Sequence, residues 1–215
     1  MDTTHHIPSE ILASYAAGSL DEAFSLVVAC HVSLCDTCRA EVESYEAVGG
    51  VVLESAQTEA MSPNALEATM AMIKSAPTVS AKPQRQAKPS VFPAPLQHYA
   101  GAAPEDVRWR SIGGGVKQAV LACSGNAKAR LLFIPFGQAV PEHSHNGLEL
   151  TLVLQGAFAD SVARFARGDV EIGDGDLEHQ PIAEPGMDCI CLAATDAPLK
   201  FKALLPRMFQ PFIGI

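Results

Sequence analysis

The hydrophobic pattern of this chain changes period once, across a proline-rich strip, and no other feature constrains the fold as strongly. Before Pro77, apolar residues recur at spacings of three and four, the mark of amphipathic helices. After about Tyr99 they fall in short runs broken by Gly, Pro and Asp, which read as strands. Between them Pro77, Pro83, Pro89, Pro93 and Pro95 stand among Lys, Arg and Gln, a composition that predicts an extended linker. The sequence therefore predicts an all-α unit over 1–76, a linker over 77–98 and an all-β unit over 99–215. Regular short strands without intervening helices point to a sandwich or jelly-roll barrel. With 48% hydrophobic and 18% charged residues, the chain has apolar material to core both units.

Within the first unit, Ser9 to Ala17 reads as a short helix stopped by Gly18. Ser19 with Glu22 predicts a capping box for a second helix. Its stretch Phe24 to Val32 is apolar enough to be buried on most sides. A third helix should begin near Asp36 and carry Val42, Tyr45, Val48 and Val52, with Gly49-Gly50 interrupting or bending it. Ser62-Pro63 predicts the start of a fourth, ending near Ser75. The stripe Leu66, Met70 and Ile73 on that helix is expected to face its own core. In the second unit the strand-like runs are Val107–Ile112, Val116–Cys123, Ala129–Phe136, Leu148–Leu154, Val170–Ile172, Met187–Ala193 and Leu199–Leu205.

Charge is unevenly placed. The whole chain carries −9, and residues 1–80 alone hold two basic against eleven acidic side chains. Phosphate contact needs Lys and Arg, so direct DNA binding is not expected of this unit. An acidic helical surface suits a basic protein partner. No apolar run approaches the ~20 residues of a membrane span. The start, MDTTHHIPSE, has neither the basic start nor the apolar core of a signal peptide. The six cysteines then belong to a reducing cytoplasm, where clustered thiols bind metal more often than they pair.

Two constellations carry that metal chemistry. The first is His31-x3-Cys35-x2-Cys38. Cys35 and Cys38 can aim both sulfurs at one ion from a turn entering a helix, and His31 lies one helical turn earlier. Zinc takes such Cys and His sets in closed tetrahedral sites that hold small domains together. A fourth ligand must come from elsewhere, and His5 or His6 could serve. The second is His143-x-His145-x3-Glu149, answered by His179. Residues two apart on a strand share a face, so His143 and His145 can project into one interior. Glu149 can return from the neighbouring strand and His179 from another. Three imidazoles and a carboxylate suit zinc, iron, manganese or nickel.

H-x3-C-x2-C inside an acidic helical module resembles the zinc-binding domain of the ChrR-type anti-sigma factors. The resemblance runs through His5-His6, Ser14 to Gly18, Glu22 to Ala29, and His31 to Cys38. In that family the second His of the N-terminal pair is the fourth zinc ligand, which implies His6. It also implies the partner, an extracytoplasmic-function sigma factor bound one to one and covered where it meets RNA polymerase. Residues 137–156, G-x5-H-x-H-x3-E-x6-G, match the first cupin motif. The second is weaker: Gly168, Gly173 and Gly175 precede His179, but the usual Pro before the last Gly is absent and Ala183 replaces the usual Asn. The likeness extends over Asp106 to Arg110, Gly147 to Gly156 and Asp188 to Pro198. It implies a cupin that receives an oxidative cue, singlet oxygen or related stress.

Beyond the ligands the cupin shows no convincing acid–base pair, so no catalytic residue is assigned; Glu142, Glu178 and Asp188 read equally well as surface carboxylates. The competing expectation is a metal-dependent cupin dioxygenase or isomerase with a zinc-stabilised helical appendage. Cys189-x-Cys191 reads as core thiols or as redox-sensitive groups near the cupin metal, too far apart on one strand for an easy disulfide. Cys30 and Cys123 read as small buried hydrophobes.

Overall fold

Among the described residues five α-helices come first and short strands follow. The computed structural model describes residues 3–77, 90–175, 178–198 and 200–201. The helices are Ser9–Ala16 (α1), Glu22–Val32 (α2), Asp36–Glu54 (α3), Ala65–Ser75 (α4) and Ala94–Ala100 (α5). The strands are Arg110–Gly113 (β1), Val116–Val120 (β2), Lys128–Ile134 (β3), His143–Ser144 (β4), Glu149–Gln155 (β5) and Ala157–Ala159 (β6). Then follow Arg164–Ala166 (β7), Val170–Gly173 (β8), Glu178–His179 (β9), Ile182–Ala183 (β10), Cys189–Thr195 (β11) and Lys200–Phe201 (β12). They form a six-stranded sheet ordered β1-β2-β3-β11-β5-β8 and two three-stranded sheets, β10-β6-β7 and β12-β4-β9. All ladders are antiparallel. The two-part fold class, helical and then cupin barrel, is the one the periodicity predicts.

The two parts share a core. On β5 and β11, Leu150, Leu152, Leu154, Ile190, Leu192 and Ala194 join Phe24, Val27 and Val28 of α2 in one apolar cluster. The alternate residues Val153, Cys189 and Cys191 turn inward, with Phe158 and Phe165, to fill the barrel. Both faces of these strands are buried, which explains their nearly continuous apolar sequence. Helix α2 thus packs against the outer face of the six-stranded sheet as well as against α1 and α3.

Several local expectations are corrected. The Ser19–Glu22 capping box does not form: α2 begins at Glu22 behind Asp21, with no side-chain cap. Ser19 Oγ instead donates to the Ser14 carbonyl. The Asp21 and Glu22 carboxylates reach across to the 124–127 loop, accepting from the amides of Asn126 and Ala127 and of Ser124 respectively. Gly49-Gly50 neither breaks nor ends α3, which continues to Glu54. The fourth helix starts at Ala65 behind Asn64 rather than at Ser62-Pro63. Its stripe is not internal, since Leu66, Met70 and Ile73 are 74%, 44% and 63% exposed. Helices α1–α3 already close their core with α2 on the sheet, leaving α4 without a buried residue.

The strip expected to be extended ends in α5, and Leu96 on it, with Phe92 just before it, is buried against the α2 side of the shared core. Pro83 and Pro89 lie outside the described residues, as does the strand expectation beyond Phe201. Among the described residues no single helix is long and apolar enough to cross a membrane.

Candidate metal centres

The end of α2 and the start of α3 create the first centre. Chain reversal between Val32 and Asp36 places Cys35 at the N-cap of α3, where its sulfur accepts from the Cys38 amide. Three residues then bring Cys38 Sγ to the same side. Residues preceding α1 pass alongside, and His6 Nδ1 lies 3.3 Å from Cys35 Sγ and 3.5 Å from Cys38 Sγ. The ligand atoms of His6, His31, Cys35 and Cys38 all lie within 4.8 Å of one another. A zinc tetrahedron with Zn–S ~2.3 Å and Zn–N ~2.0 Å has edges of about 3.3–3.8 Å, so the His6 distances match.

His31 shows best that the residues fit a metal. Its ring is fully buried, its Nδ1 donates to the Gly168 carbonyl at 2.9 Å, and its Nε2 has no hydrogen-bond partner. Burial depresses its pKa to about 4, so the ring is neutral near pH 7 and the orphaned Nε2 carries a lone pair. A buried acceptor without a partner is costly, and a cation at the thiolates removes that cost. Burial pushes the Cys38 thiol up to about 11, so the thiolate form needs a metal to displace its proton. His5 does not join this group: its ring sits 4.4 Å from that of Phe165 and its amide donates to Asp169.

The second centre lies inside the barrel. Antiparallel β4 and β9 put His143 opposite His179, and His145 follows two residues on. Their Nε2 atoms converge, with 3.1 Å between His143 and His179 and 3.3 Å between His145 and His179. Those spacings suit a metal bound at ~2.0–2.1 Å by each imidazole. The outer nitrogens fix the tautomers: His143 Nδ1 donates to the Pro141 carbonyl at 2.8 Å, and His179 Nδ1 faces Glu171 at 3.0 Å and Asp160 at 3.2 Å. Burial lowers the His143 pKa to about 4, leaving it neutral. Burial also opposes charge on His179, but the carboxylates of Glu171 and Asp160 outweigh it and raise its pKa.

Glu149 sits beside this focus rather than at it. One oxygen lies 3.4 Å from His145 Nδ1, and the other accepts from the Thr151 hydroxyl at 2.8 Å. His143, His145 and His179 bring their ligand atoms within 4.8 Å of one another, and Glu149 is not part of that group. Sequence reasoning missed Asp160 and Glu171, and it named Gly173 only as part of the second motif without its contact to His145. Glu171 lies in an apolar strand run, where a buried carboxylate is itself a signal. At Gly173 a Cβ would stand 2.8 Å from His145 Nε2, so only glycine lets that ring lie flat on β8. A cavity of 570 Å³ opens beside His179, lined by Glu142, Asp160, Glu178 and Glu184. Such an acidic mouth favours the entry of cations. Cys189 and Cys191 are buried in the barrel as free thiols, their sulfurs hydrogen-bonded at 3.5 Å without a disulfide.

Comparison with known proteins places this geometry. The ChrR cupin-like domain family matches residues 97–198. The anti-sigma-E factor ChrR of Cereibacter sphaeroides is 56% identical over 215 residues, covering 100% of both chains. A chain in the crystal structure of Rhodobacter sphaeroides SigE in complex with the anti-sigma ChrR is 54% identical, with a TM-score of 0.79. That match covers 90% of this chain and 99% of the other.

Proposed function

Because the chain belongs to the ChrR family of anti-sigma factors, we propose that it binds an extracytoplasmic-function sigma factor, keeps it from RNA polymerase, and releases it under oxidative stress. The observation that carries this reading is 56% identity with an anti-sigma factor along the full length of both chains, spanning both units and the strip between them. That relative is a regulator and not an enzyme, which sets aside the dioxygenase or isomerase expectation.

In this reading the helical unit is the inhibitor and residues 1–76 form it. His6, His31, Cys35 and Cys38 hold zinc that pins α1, α2 and α3 together. Its acidic surface and the uncovered apolar residues of α3 and α4, among them Val48, Val52, Leu66 and Ile73, suit a partner with basic and apolar faces. The barrel is the receiver: His143, His145 and His179, with Glu149 alongside, hold a divalent metal such as zinc, manganese, iron or nickel. Singlet oxygen or a related oxidant attacks an electron-rich imidazole there, and the altered barrel loosens the inhibitor's grip.

The test is transcription by polymerase and its cognate sigma factor, titrated with the full chain. Inhibition at one chain per sigma, reversed by chelation, supports the reading. A folded, metal-loaded chain that fails to inhibit overturns it. The sensing part is tested by exposing the complex to photogenerated singlet oxygen; release that persists after His143 and His145 are both replaced would refute sensing through the cupin centre.

A further inference from the structure

A single short strap of chain supports both metal centres. Gly168, in the turn between β7 and β8, gives its carbonyl to the Nδ1 of His31, and so fixes which nitrogen of that ring faces the thiolates. Asp169 Oδ1 accepts from the amides of Thr4 and His5 at 2.7 and 2.9 Å and from the Thr4 hydroxyl at 3.1 Å. The Val170 amide then donates to the His5 carbonyl, so the chain is clamped on both sides of the residue preceding His6. Arg167 ties the same turn to the carbonyls of Val91 and Leu154. Two residues past Asp169, Glu171 accepts from Nδ1 of His179 in the other centre. Gly173, at the end of the same strand, carries the His145 ring.

The sequence of the strap serves this double duty. Gly168 has φ +96°, in the left-handed region that favours glycine, and a Cβ there would press on Thr3 Oγ1 at 3.1 Å. Asp169 is 4% exposed and Glu171 6%, yet both are held as hydrogen-bond acceptors, which a buried carboxylate requires. Between them lies extended chain paired in register with β5, Val170 opposite Leu152 and Glu171 opposite Thr151. Paired strand transmits displacement along its length instead of absorbing it as a loop would.

We infer that Gly168 and Asp169 are positioning residues for the thiolate centre, and that through Glu171 the strap makes metal retention at that centre depend on the state of the cupin centre. This rests on the proposed ligand sets and deepens the proposed release mechanism. A change at His179 or His145 moves Glu171 and β8. The same movement withdraws the Gly168 carbonyl from His31 and the Asp169 clamp from the segment carrying His6. Two of the four thiolate-site ligands are then less well oriented.

Full-length protein loaded with Co²⁺ tests this. The thiolate-to-cobalt charge-transfer band reports the Cys35/Cys38 centre, counted as the part absent from Cys38→Ala. Its decay is followed under excess chelator for Asp169→Ala, Asp169→Asn, His145→Ala and the double variant Asp169→Ala/His145→Ala. Loss of an outer hydrogen-bond partner typically weakens metal binding about 10–100-fold, and Asp169→Ala should speed decay into that range. Asp169→Asn, which keeps the oxygen facing Thr4 and His5, should restore most of the retention. His145→Ala should speed decay too, and the double variant should exceed either single variant by less than the product of their rate factors, because the Gly168 contact to His31 remains to be disturbed. Wild-type decay in Asp169→Ala, or rate factors for the two substitutions that simply multiply, would overturn the inference. If Asp169→Ala does not fold, His145→Ala decides alone, and unchanged decay there overturns it. Sigma inhibition at saturating metal, measured in parallel, separates the two readings: failure of the wild type to inhibit strikes the anti-sigma function and leaves the decay comparison intact.

Discussion

Tyr99 donates its phenol to Glu22 Oε1 at 2.5 Å, joining α5 to the first turn of α2 across 77 positions. The other Glu22 oxygen accepts from the Ser124 amide and hydroxyl, both at 2.6 Å. The bonds from Ser124, then Tyr99, hold the Glu22 carboxyl down at about 2, and its anion pushes Tyr99 up to about 12. One carboxylate at the first turn of α2 thus does for docking what a helix cap would have done locally.

Replacing Glu22 with Ala should lower the thermal midpoint and loosen α2 from the 124–127 loop, and Tyr99→Phe should do the same to a smaller degree. Because the folded pKa is depressed, this contribution is fully present above the unfolded carboxylate pKa of ~4.3 and is lost as pH falls through the folded value near 2. The gap in melting temperature between wild type and Glu22→Ala should hold steady from about pH 7 to 5 and narrow below about 4. A gap independent of pH across that lower range would refute the assignment.

Cys35→Ala or Cys38→Ala should abolish metal binding at the thiolate centre and inhibition of the sigma factor together. Structural zinc contributes on the order of 10–16 kcal/mol in zinc-finger peptides, so α1 and α3 should lose their packing. Helix α2, seated on the sheet, should keep its helicity. Circular dichroism therefore should fall only in part. Retained inhibition with native helical content would show the metal to be dispensable.

Charge placed on the outer stripe of α4 should separate partner binding from folding. Leu66→Asp with Ile73→Asp alters residues that are 74% and 63% exposed, so the isolated chain should lose no more than about 0.5 kcal/mol per site. Binding to the sigma factor should weaken markedly. Leu12→Ala, at a fully buried position, should instead cost about 2–5 kcal/mol in stability. Unchanged sigma affinity in the α4 variant would remove that helix from the proposed interface.

Glu171→Gln should weaken the cupin centre without removing a ligand. The amide no longer supports a charged or strongly polarised His179, and loss of such a partner costs about 10–100-fold in metal affinity. Competition titration with a chelating dye measures it. Native affinity would mean that Asp160, 3.2 Å from the same nitrogen, orients the ring unaided.

Much of this was legible in the sequence because it depends on local spacing. Cys35 and Cys38 meet because a helix begins between them, and His143 and His145 share a face because strands alternate. The apolar run of α2 announces burial, though not against what. Expectations failed where a local motif had a distant competitor. Ser19-x2-Glu22 has the spacing of a capping box, but Glu22 finds Ser124 and Tyr99 instead. The α4 stripe has the spacing of a core face, but among the described residues none covers it and it stays exposed. Nothing local distinguishes His5 from His6; the geometry does, since Asp169 holds the His5 amide and turns its ring to Phe165 while His6 falls on the sulfurs.

The sequence by itself therefore determined the two-part fold class, the two candidate metal-ligand motifs short of the choice between His5 and His6, and the acidic character of the helical half, because periodicity, ligand spacing and charge are properties of neighbouring residues. Only the tertiary structure decided that α2 is sandwiched between helices and sheet, that Gly168 and Glu171 orient His31 and His179, and that α4 presents its apolar side to solvent. Those outcomes depend on which of several chemically adequate partners lies within bonding distance in the packed fold, and that is settled by packing across long sequence separations, which no short-range pattern records.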